Sequence, residues 1–358
     1  MTDRTLIDRP GRVRSGEELD IAAIDAVLKA RDPGLEGTPE VRQFSGGASN
    51  LTYLLAYPGR ELILRRPPFG HKAKSAHDMV REARVMQALR PVYPYVPQIV
   101  ALCDDTGVMG CDFFVMERIR GIIPRQDLPS GLDLTVEETR RLCLSVIDRL
   151  VELHGLDPQA SGLDALGRGE GYVRRQIEGW SGRFRAVRLE GGADFEAVMA
   201  WLAERMPAGE AAIRAVHNDF RLDNVVLDPT EPTRVIAVLD WEMATLGDPL
   251  MDLGNSLAYW VQADDDPTFL ALRRQPTHLP GMLTRAEVVE YYHARTGLPV
   301  GDMDFYLVYG LFRLAVIVQQ IYYRYAKGQT DNPQFARFGD VARYLEHRCR
   351  AAIKAAAK

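Results

Sequence analysis

The sequence predicts an α+β fold with two lobes, in which a small five-stranded antiparallel sheet carrying one helix precedes a larger helical lobe. Two observations predict this class. Short apolar runs of strand length are concentrated between residues 41 and 117, whereas apolar residues beyond Gly121 recur mostly at helical spacing. We therefore expect an N-terminal helical extension (1–36), a small lobe (37–117) and a helical lobe (118–358).

The elements of the first two regions follow from capping patterns and turn residues. Ser15 and Glu18 have the spacing of a capping box, so a helix is expected from about residue 17 to residue 30. Apolar runs between turns then predict five strands, with one helix inserted after the third strand. The strands are expected at 41–44, 51–57, 61–66, 99–102 and 113–117, and the inserted helix at 76–89.

The helical lobe begins with a second capping box, formed by Thr135 and Glu138, and contains a third one at Thr284 and Glu287. Each of these pairs should begin a helix. Short apolar runs on either side of residue 230 interrupt the helical pattern and predict a few strands there. Further helices are expected at 172–187, 194–205, 305–326 and 334–357.

The composition excludes several classes of function. Of the 358 residues, 46% are apolar and 26% are charged, which is typical of a globular protein. The net charge of −5 argues against nucleic acid as the main partner. No apolar run approaches the roughly 18 residues of a membrane span.

Four cysteines without a C-x-x-C pair, and a polar start without a secretion signal, predict a reduced, cytoplasmic setting. The oligomeric state is not predicted.

The most informative motif has the pattern His-x-Asp-x-x-x-x-Asn, formed by His217, Asp219 and Asn224. A second acidic residue, Asp240, follows the next apolar runs, and the spacing leaves room for a β-hairpin between the two carboxylates. Phosphoryl transfer needs one carboxylate to orient a hydroxyl, together with an amide and a carboxylate to hold Mg²⁺ on the phosphates. A His-x-Asp triplet alone is common in turns, but the complete set indicates this chemistry.

These residues, together with the order of the elements, resemble the aminoglycoside phosphotransferase and choline kinase family of the protein-kinase-like fold. Within it, the chain is similar to bacterial phosphotransferases resembling the kinase-like domain fused to some acyl-CoA dehydrogenases. The resemblance covers about residues 37–330 and is strongest at 216–227 and 238–254. It implies ATP and Mg²⁺ as cofactors and a small-molecule acceptor. Asp240-Trp241-Glu242, in place of Asp-Phe-Gly, is usual in the small-molecule branch.

The resemblance also implies individual roles around the motif. Asp219 would be the catalytic carboxylate, and Arg221 would stabilise the transferred phosphoryl group. Asn224 and Asp240 would hold the metal, with Glu242 either an extra ligand or an exposed residue. His217 and Asp252 would have structural roles, and Asp252 is expected to begin a helix and to cap the backbone of the catalytic loop.

A second set of residues is implied for the nucleotide, which makes the small lobe (37–117) the nucleotide-binding one. Arg65 would take the place of the usual lysine on the third strand, with Glu82 as its carboxylate partner. Arg66, Lys72 and Lys74 remain alternatives to Arg65. The other expected contacts are Gly46, Gly47, Ser49 and Asn50 in a small-residue loop, and Glu117 and Ile119 in the hinge.

The acceptor is less well defined. An arginine-rich flank before the catalytic loop favours an anionic acceptor, for which the family analogy suggests a hydroxyacyl-CoA. The residues expected to contact it are Arg174, Arg175, Trp180 and Tyr259. An aminoglycoside or amino alcohol remains an alternative acceptor. A non-catalytic nucleotide-binding regulator and a protein kinase are alternative functions, although no activation segment is recognisable between Asp240 and Asp252.

Overall fold

A five-stranded antiparallel sheet organises the N-terminal part of the fold in a computed structural model, which describes residues 6–44, 50–69 and 78–357. The strands of the described chain are β1 (Glu40–Gln43), β2 (Leu51–Tyr57), β3 (Arg60–Arg66), β4 (Ile99–Cys103), β5 (Phe113–Glu117), β6 (Arg214–Val216), β7 (Val225–Leu227), β8 (Val235–Val238) and β9 (Thr245–Gly247). The sheet has the order β1-β2-β3-β5-β4, so β3 lies in its interior. This arrangement confirms the predicted α+β class.

Helices occur in the N-terminal extension, within the sheet region and throughout the C-terminal region, as predicted. The α-helices among the described residues are α1 (Ile21–Arg31), α2 (Met79–Leu89), α3 (Thr106–Met109), α4 (Val136–Gly155), α5 (Tyr172–Val187), α6 (Glu196–Glu204), α7 (Pro249–Ala258), α8 (Pro267–Leu272), α9 (Arg285–Thr296), α10 (Met303–Ala326) and α11 (Phe338–Ala356). The capping boxes at Thr135 and Thr284 are both formed, which confirms the predicted beginnings of α4 and α9.

Contacts divide the chain into two units that interleave along the sequence. The first unit consists of Met1–Val146 and Leu222–Ala244, and the second consists of Ile147–Arg221 and Thr245–Lys358. The sheet and the β7–β8 pair belong to the first unit, whereas β6, β9 and helices α5 to α11 belong to the second. The domain boundaries proposed from the sequence at 36/37 and 117/118 stay predictions.

The sheet buries one face beneath α1. Ile24 and Leu28 of the helix share a fully buried cluster with Tyr53, Leu55 and Leu64 of β2 and β3. Because successive side chains of a strand point to opposite faces, residues 63 and 65 of β3 face away from this cluster. The alternation therefore directs the predicted phosphate-binding arginine to the other face of the sheet.

The hairpin predicted between Asp219 and Asp240 is confirmed. β7 and β8 pair in antiparallel register, and the N–H of Leu239 donates to the carbonyl of Asn224 at 2.7 Å. Ile122 forms an isolated bridge with Leu227. Gly121 is required next to this bridge, because a Cβ there would lie 2.3 Å from the carbonyl oxygen of Leu227. The hairpin thus pairs with the segment that follows β5.

In the second unit, α7 and α10 touch through their backbones. A Cβ at Gly254 would lie 2.3 Å from the carbonyl oxygen of Tyr306, and a Cβ at Gly310 would lie 2.2 Å from that of Gly254. By length and composition α10 could cross a membrane, since its most apolar 18 residues have a mean hydropathy of 1.4. However, 67% of that window is buried inside the fold, as in the core helix of a globular protein.

Several predicted helix beginnings are wrong, including that of α10, which begins at Met303 rather than at residue 305. α1 begins at Ile21 rather than near residue 17, because the carboxylate of Asp20 caps the helix by accepting the N–H of Ala23. Glu18 instead accepts the N–H of Gly16, where φ is +83°. α6 begins two residues later than expected, and Pro333–Arg337 form a separate 3₁₀ turn before α11. Residues 76 and 77 of the predicted inserted helix lie outside the described residues.

Candidate active site

One cavity in the first unit gathers most of the predicted nucleotide and metal residues. Its polar lining includes Arg65, Glu82, Glu117, Asn224 and Asp240, and Ile119 also lines it. Apolar side chains that share the lining include Phe44, Ile63, Met86 and Met116. A cavity with apolar walls and a few convergent charged groups is the usual form of a small-molecule site.

Arg65 joins two carboxylates at the edge of this cavity. Its Nη1 donates to Oε1 of Glu82 at 2.6 Å, and its Nη2 donates to Oδ1 of Asp240 at 3.0 Å. The Glu82 side chain is fully buried, while that of Asp240 is 30% exposed. Burial raises the pKa of Glu82 to about 7, opposed by the charge of Arg65 and assisted by those of Asp240 and Glu242. The predicted pairing of Arg65 with Glu82 is therefore present.

The other cations considered for the phosphates are placed differently. Arg66 is buried, donates from Nε to the carbonyl of Pro67 at 3.1 Å, and lies 3.6 Å from the ring centroid of Phe69. It is not among the residues that line the cavity. Lys72 and Lys74 lie outside the described residues. Arg65 is thus the candidate that the described structure brings to the cavity.

The small-residue loop is only partly described. Gly46, Gly47 and Ser49 lie outside the described residues. Asn50, which follows them, is buried and donates from Nδ2 to Oε2 of Glu242 at 3.0 Å. Glu242 therefore contacts the end of the loop rather than being simply exposed.

An arginine that sequence reasoning missed holds the segment around Asp240. Arg81 of α2 donates from Nη1 to the carbonyl of Glu242 at 2.9 Å and from Nη2 to the carbonyl of Ala244. Glu82, the next residue of the helix, reaches Asp240 through Arg65. Two successive residues of α2 therefore fix the same loop. The sequence contained no signal for Arg81, since it resembles any arginine on an exposed helix turn.

The N-terminal segment also contributes to the cavity, although the sequence assigned it to a separate extension. Ile7 and Asp8 are lining residues. The carbonyl of Asp8 accepts a hydrogen bond from Arg118 at 2.9 Å, and its carboxylate accepts one from Arg125 at 3.2 Å. A bridge between Gly11 and Gln43 then attaches the segment to the edge of the sheet. No sequence motif marks this contribution.

The donor set at the hairpin fits a magnesium ion. Asn224 and Asp240 present an amide and a carboxylate to the same cavity, and the hairpin fixes their backbones. Mg²⁺ prefers oxygen ligands and commonly keeps water and phosphate oxygens in its coordination sphere. One amide and one carboxylate are therefore sufficient protein ligands.

The catalytic loop predicted at His217 lies in the second unit, where a buried carboxylate holds its backbone. Asp252 accepts hydrogen bonds from the N–H of His217 at 2.6 Å and of Asn218 at 2.8 Å. His154 Nε2 lies 3.1 Å from the same carboxylate. Burial pushes the pKa of Asp252 upward, but the hydrogen bond and charge of His154 outweigh it, and the pKa lies below its usual value. The two residues before Asp219 are thus fixed by an ionised group.

One prediction about Asp252 is wrong. It does not begin α7, because Asp248 caps that helix by accepting the N–H of Leu250 at 2.7 Å. Asp252 lies in the first turn of α7, where its side chain reaches the catalytic loop rather than the helix terminus. Its expected contact with the backbone of the loop is present.

Backbone strain marks both the catalytic loop of the second unit and the segment after the hairpin of the first unit. Among the described residues, Asn218 and Asp240 are the non-glycine residues with positive φ, at 65° and 67°. Such conformations persist where surrounding contacts hold them, and they are enriched at functional sites. At Asn218 the holding contacts include the hydroxyl of Tyr172, 2.8 Å from Oδ1, and Nδ2 of Asn255 at 3.3 Å.

Asp219 and Arg221, the two predicted catalytic residues, contact each other. Arg221 Nη2 lies 3.3 Å from Oδ2 of Asp219, and the N–H of Asp219 donates to Nδ1 of His217 at 3.2 Å. The guanidinium of Arg221 also lies 4.5 Å from the ring centroid of Tyr259. A carboxylate, a cation and an aromatic ring therefore lie side by side on the loop.

The residues predicted to bind the acceptor do not form one group. Arg174 is 67% exposed and lies 3.9 Å from Glu178. Arg175 donates to the backbone carbonyls of Gly169 and Glu170. Trp180 is buried, and Tyr259 contacts Arg221. The contacts of Arg174 and Arg175 are therefore with Glu178 and with backbone carbonyls.

Comparison with known proteins identifies the relatives of this chain. The family model described as the phosphotransferase enzyme family, APH, matches residues 40–288. Mouse acyl-CoA dehydrogenase family member 10 is 35% identical over 307 residues, which cover 85% of this chain and 28% of that protein. Rat acyl-CoA dehydrogenase family member 11 is 32% identical over 325 residues, covering 88% and 41%. The chain thus spans less than half the length of these relatives.

Solved structures share the fold over nearly the whole chain. A candidate aminoglycoside phosphotransferase from Ralstonia eutropha is 32% identical, with a TM-score of 0.80 covering 94% of this chain and 99% of that one. Choline kinase from Cryptosporidium parvum is 13% identical, with a TM-score of 0.63 covering 94% and 96%. The aminoglycoside phosphotransferase APH(4)-Ia, solved with AMP-PNP and hygromycin B, is 17% identical, with a TM-score of 0.56 covering 93% and 98%. The last two show similarity of fold alone.

Proposed function

Because this chain belongs to the APH phosphotransferase enzyme family, we propose that it transfers the γ-phosphoryl group of ATP to a hydroxyl group of an anionic small molecule. The observation that carries the proposal is the catalytic loop, in which the carboxylate of Asp219 lies 3.3 Å from the guanidinium of Arg221. Asp252 fixes the backbone before this pair. A positioned carboxylate beside a cation is the arrangement that phosphoryl transfer to a hydroxyl requires.

In the proposed reaction, the acceptor oxygen forms a bond to the γ-phosphorus while the bond from that phosphorus to the bridging oxygen of ADP breaks. The hydroxyl proton passes to the carboxylate of Asp219, and ADP leaves with the bridging oxygen. Arg221 stabilises the negative charge on the equatorial oxygens of the transferred group. Asp219 is half-buried, which limits competing solvation by water.

The first unit would bind the nucleotide. Arg65, oriented by Glu82, would contact the phosphates, and the backbone atoms of Glu117 and Ile119 would contact the base. Asn224 and Asp240 are the residues that would hold Mg²⁺, which supplies positive charge at the phosphates when bound. The hydrogen bond between Arg65 and Asp240 would then shift as Asp240 takes part in binding the metal.

For the acceptor, a hydroxyacyl-CoA is our first choice. The relatives named acyl-CoA dehydrogenase carry a region similar to this chain, and an acyl-CoA thioester would be the shared chemical feature. Aminoglycosides and amino alcohols are the alternative, supported by the names of the structures with the same fold. A panel of hydroxyacyl-CoAs, aminoglycosides and choline-like alcohols, each with radiolabelled ATP, discriminates between them by which acceptor becomes labelled.

The mechanism is tested with Asp219→Asn. We expect turnover to fall by about 10²–10⁴-fold, which is the usual contribution of a positioned general base. The affinity for ATP, measured by calorimetry with Mg²⁺, should be unchanged. Asp331→Asn provides a matched control, because Asp331 is exposed. Full turnover in the Asp219 variant would exclude this mechanism.

A further inference from the structure

A buried arginine in the second unit has no carboxylate opposite it. Arg313 lies in α10 and is only 3% exposed. Among the residues that the structure describes, none forms a hydrogen bond or an ion pair with its guanidinium. Arginine is almost never so deeply buried unless it is paired, because removing a charge from water is unfavourable without a compensating partner. No described carboxylate therefore compensates the charge of Arg313.

A second arginine lies on the same indole ring. The guanidinium carbon of Arg313 is 5.2 Å from the ring centroid of Trp180, and that of Arg183 is 4.6 Å away. Trp180 is itself buried and donates from Nε1 to Gln176 at 3.1 Å. The ring is thus fixed in orientation, and it holds two cations near each other. Cation–π contact lowers the energy of each arginine but neutralises neither.

The arginines near Trp180 differ from others on the same stretch of chain. Arg185 forms a two-point ion pair with Glu196, and Arg188 lies 3.6 Å from Asp194. No acidic side chain among the described residues lies within ion-pair distance of Arg183 or Arg313. We define Trp180, Arg183 and Arg313 as the Trp180 cluster, in which two arginines share one ring and neither has an acidic partner among the described residues.

The Trp180 cluster is connected to the catalytic loop by buried polar residues. Oε1 of Gln176 accepts hydrogen bonds both from Nε1 of Trp180 at 3.1 Å and from the hydroxyl of Tyr309 at 3.4 Å. The Tyr172 hydroxyl donates to Asn218, the residue before Asp219. Close backbone contact at Gly254 and Gly310 brings α10 against α7, the helix that carries Asp252 and Asn255.

A second unsatisfied group lies on that path. Oδ1 of Asn255 is buried and has no hydrogen-bond partner among the described residues, although its Nδ2 contacts Asn218 at 3.3 Å. Buried amide oxygens are nearly always hydrogen-bonded in folded proteins. Arg313 therefore lacks an anion, and Asn255 lacks a donor such as a hydroxyl.

We propose that the Trp180 cluster binds an anionic group of the acceptor, a carboxylate or a phosphate, through Arg313 and Arg183. This inference rests on the proposed phosphotransferase function and defines the acceptor class by charge. The acceptor carries its anion at Arg313 and extends past Tyr172 and Asn255 toward the loop of Asp219. Arg313 was not among the residues predicted to bind the acceptor, and it replaces Arg174 and Arg175 in that role.

The test measures anion binding directly, without turnover. The full chain is saturated with AMP-PNP and Mg²⁺, so that its nucleotide site is filled, and is titrated calorimetrically with inorganic phosphate and, separately, with acetate at constant ionic strength. We expect the wild-type chain to bind at least one of these ions and Arg313→Met to bind it about tenfold more weakly, as loss of a charge-assisted contact implies. The stronger ion identifies phosphate or carboxylate as the preferred group. Arg185→Gln, on the same helix as Trp180, should bind as the wild type does.

Thermal unfolding without added anion separates a binding role from a structural one. An unpaired buried cation is unfavourable to the fold, so Arg313→Met should unfold at the same temperature as the wild type or at a higher one. Because Arg183 is exposed, Arg183→Met gives a second variant that should leave the core intact and should also weaken anion binding.

The proposal is overturned if the wild-type chain binds neither ion, or if both arginine variants bind as tightly as the wild type. A lower unfolding temperature for Arg313→Met with unchanged anion affinity would also overturn it. Failure of the phosphotransferase proposal is a different result, in which the anion binds at Arg313 but no acceptor is labelled from ATP.

Discussion

The two units stabilise their buried carboxylates in different ways. In the second unit, Asp252 is fully buried and is surrounded by two backbone N–H groups and His154. In the first unit, Glu82 and Asp240 share the single guanidinium of Arg65 beside a cavity, and Asp240 remains partly exposed.

This difference distinguishes a carboxylate that holds the backbone in place from a carboxylate that can take part in binding a ligand. A carboxylate that is enclosed and fully hydrogen-bonded gains nothing from a ligand, so its role is to fix backbone. A carboxylate that shares its cation at the wall of a cavity can exchange that contact for a ligand. Arg313 differs from both kinds, because it is buried in the same unit as Asp252 and forms no ion pair with the described residues.

The largest expected effect is a loss of stability when Asp252 is replaced. We expect Asp252→Ala to lower the free energy of unfolding by about 3–5 kcal/mol, because it removes one partner from a fully buried charged network. Urea unfolding at neutral pH measures this change. Asp331→Ala, at an exposed position, should stay within about 0.5 kcal/mol of the wild type.

The pH dependence of the stability of the same variant tests whether the ionised carboxylate of Asp252 causes the stabilisation. Because the folded pKa of Asp252 is below its usual value, its contribution is complete above the unfolded pKa of about 3.9 and is lost as pH falls through the folded value. The difference in unfolding free energy between wild type and variant should therefore shrink as pH falls below about 5. A small difference at neutral pH would refute the view of Asp252 as scaffold.

The next largest expected effect is a loss of ATP affinity when Arg65 is replaced. Lysine keeps the charge but cannot span Glu82 and Asp240 with two fixed donors, so Arg65→Lys should bind ATP with Mg²⁺ about tenfold more weakly. Calorimetry measures the Kd, and Arg42→Lys, an exposed arginine of β1, is the matched control. Unchanged affinity would indicate that another cation contacts the phosphates.

The smallest effect is expected at the N-terminal segment. Asp8→Ala removes an exposed ion pair with Arg125, and such pairs contribute at most about 1 kcal/mol. The Kd for ATP should therefore rise by about twofold to fivefold, since the backbone contact from Arg118 remains. Glu36→Ala, at an exposed position before the sheet, should leave the Kd unchanged. An unaltered Kd in the Asp8 variant would show that this segment lines the cavity without supporting nucleotide binding.

Local patterns in the sequence were sufficient for most elements of the fold. The strands at 51–57 and 113–117 and the capping boxes at Thr135 and Thr284 depend on neighbours in sequence, and they are formed as predicted. Boundaries that depend on which of two nearby acidic residues caps the helix were not predictable. Both Ser15 with Glu18 and Asp20 could cap α1, and the contacts of the folded chain selected Asp20.

The sequence by itself determined the motif chemistry: a carboxylate, an amide and a second carboxylate at the spacing of a catalytic loop followed by a hairpin. Those residues are close in the chain, so their geometry follows from local structure. Only the tertiary structure decided which distant residues contribute within each unit. Arg81, Asp8 and Arg313 carry no local signal, because a side chain's burial and partners depend on elements far away in sequence.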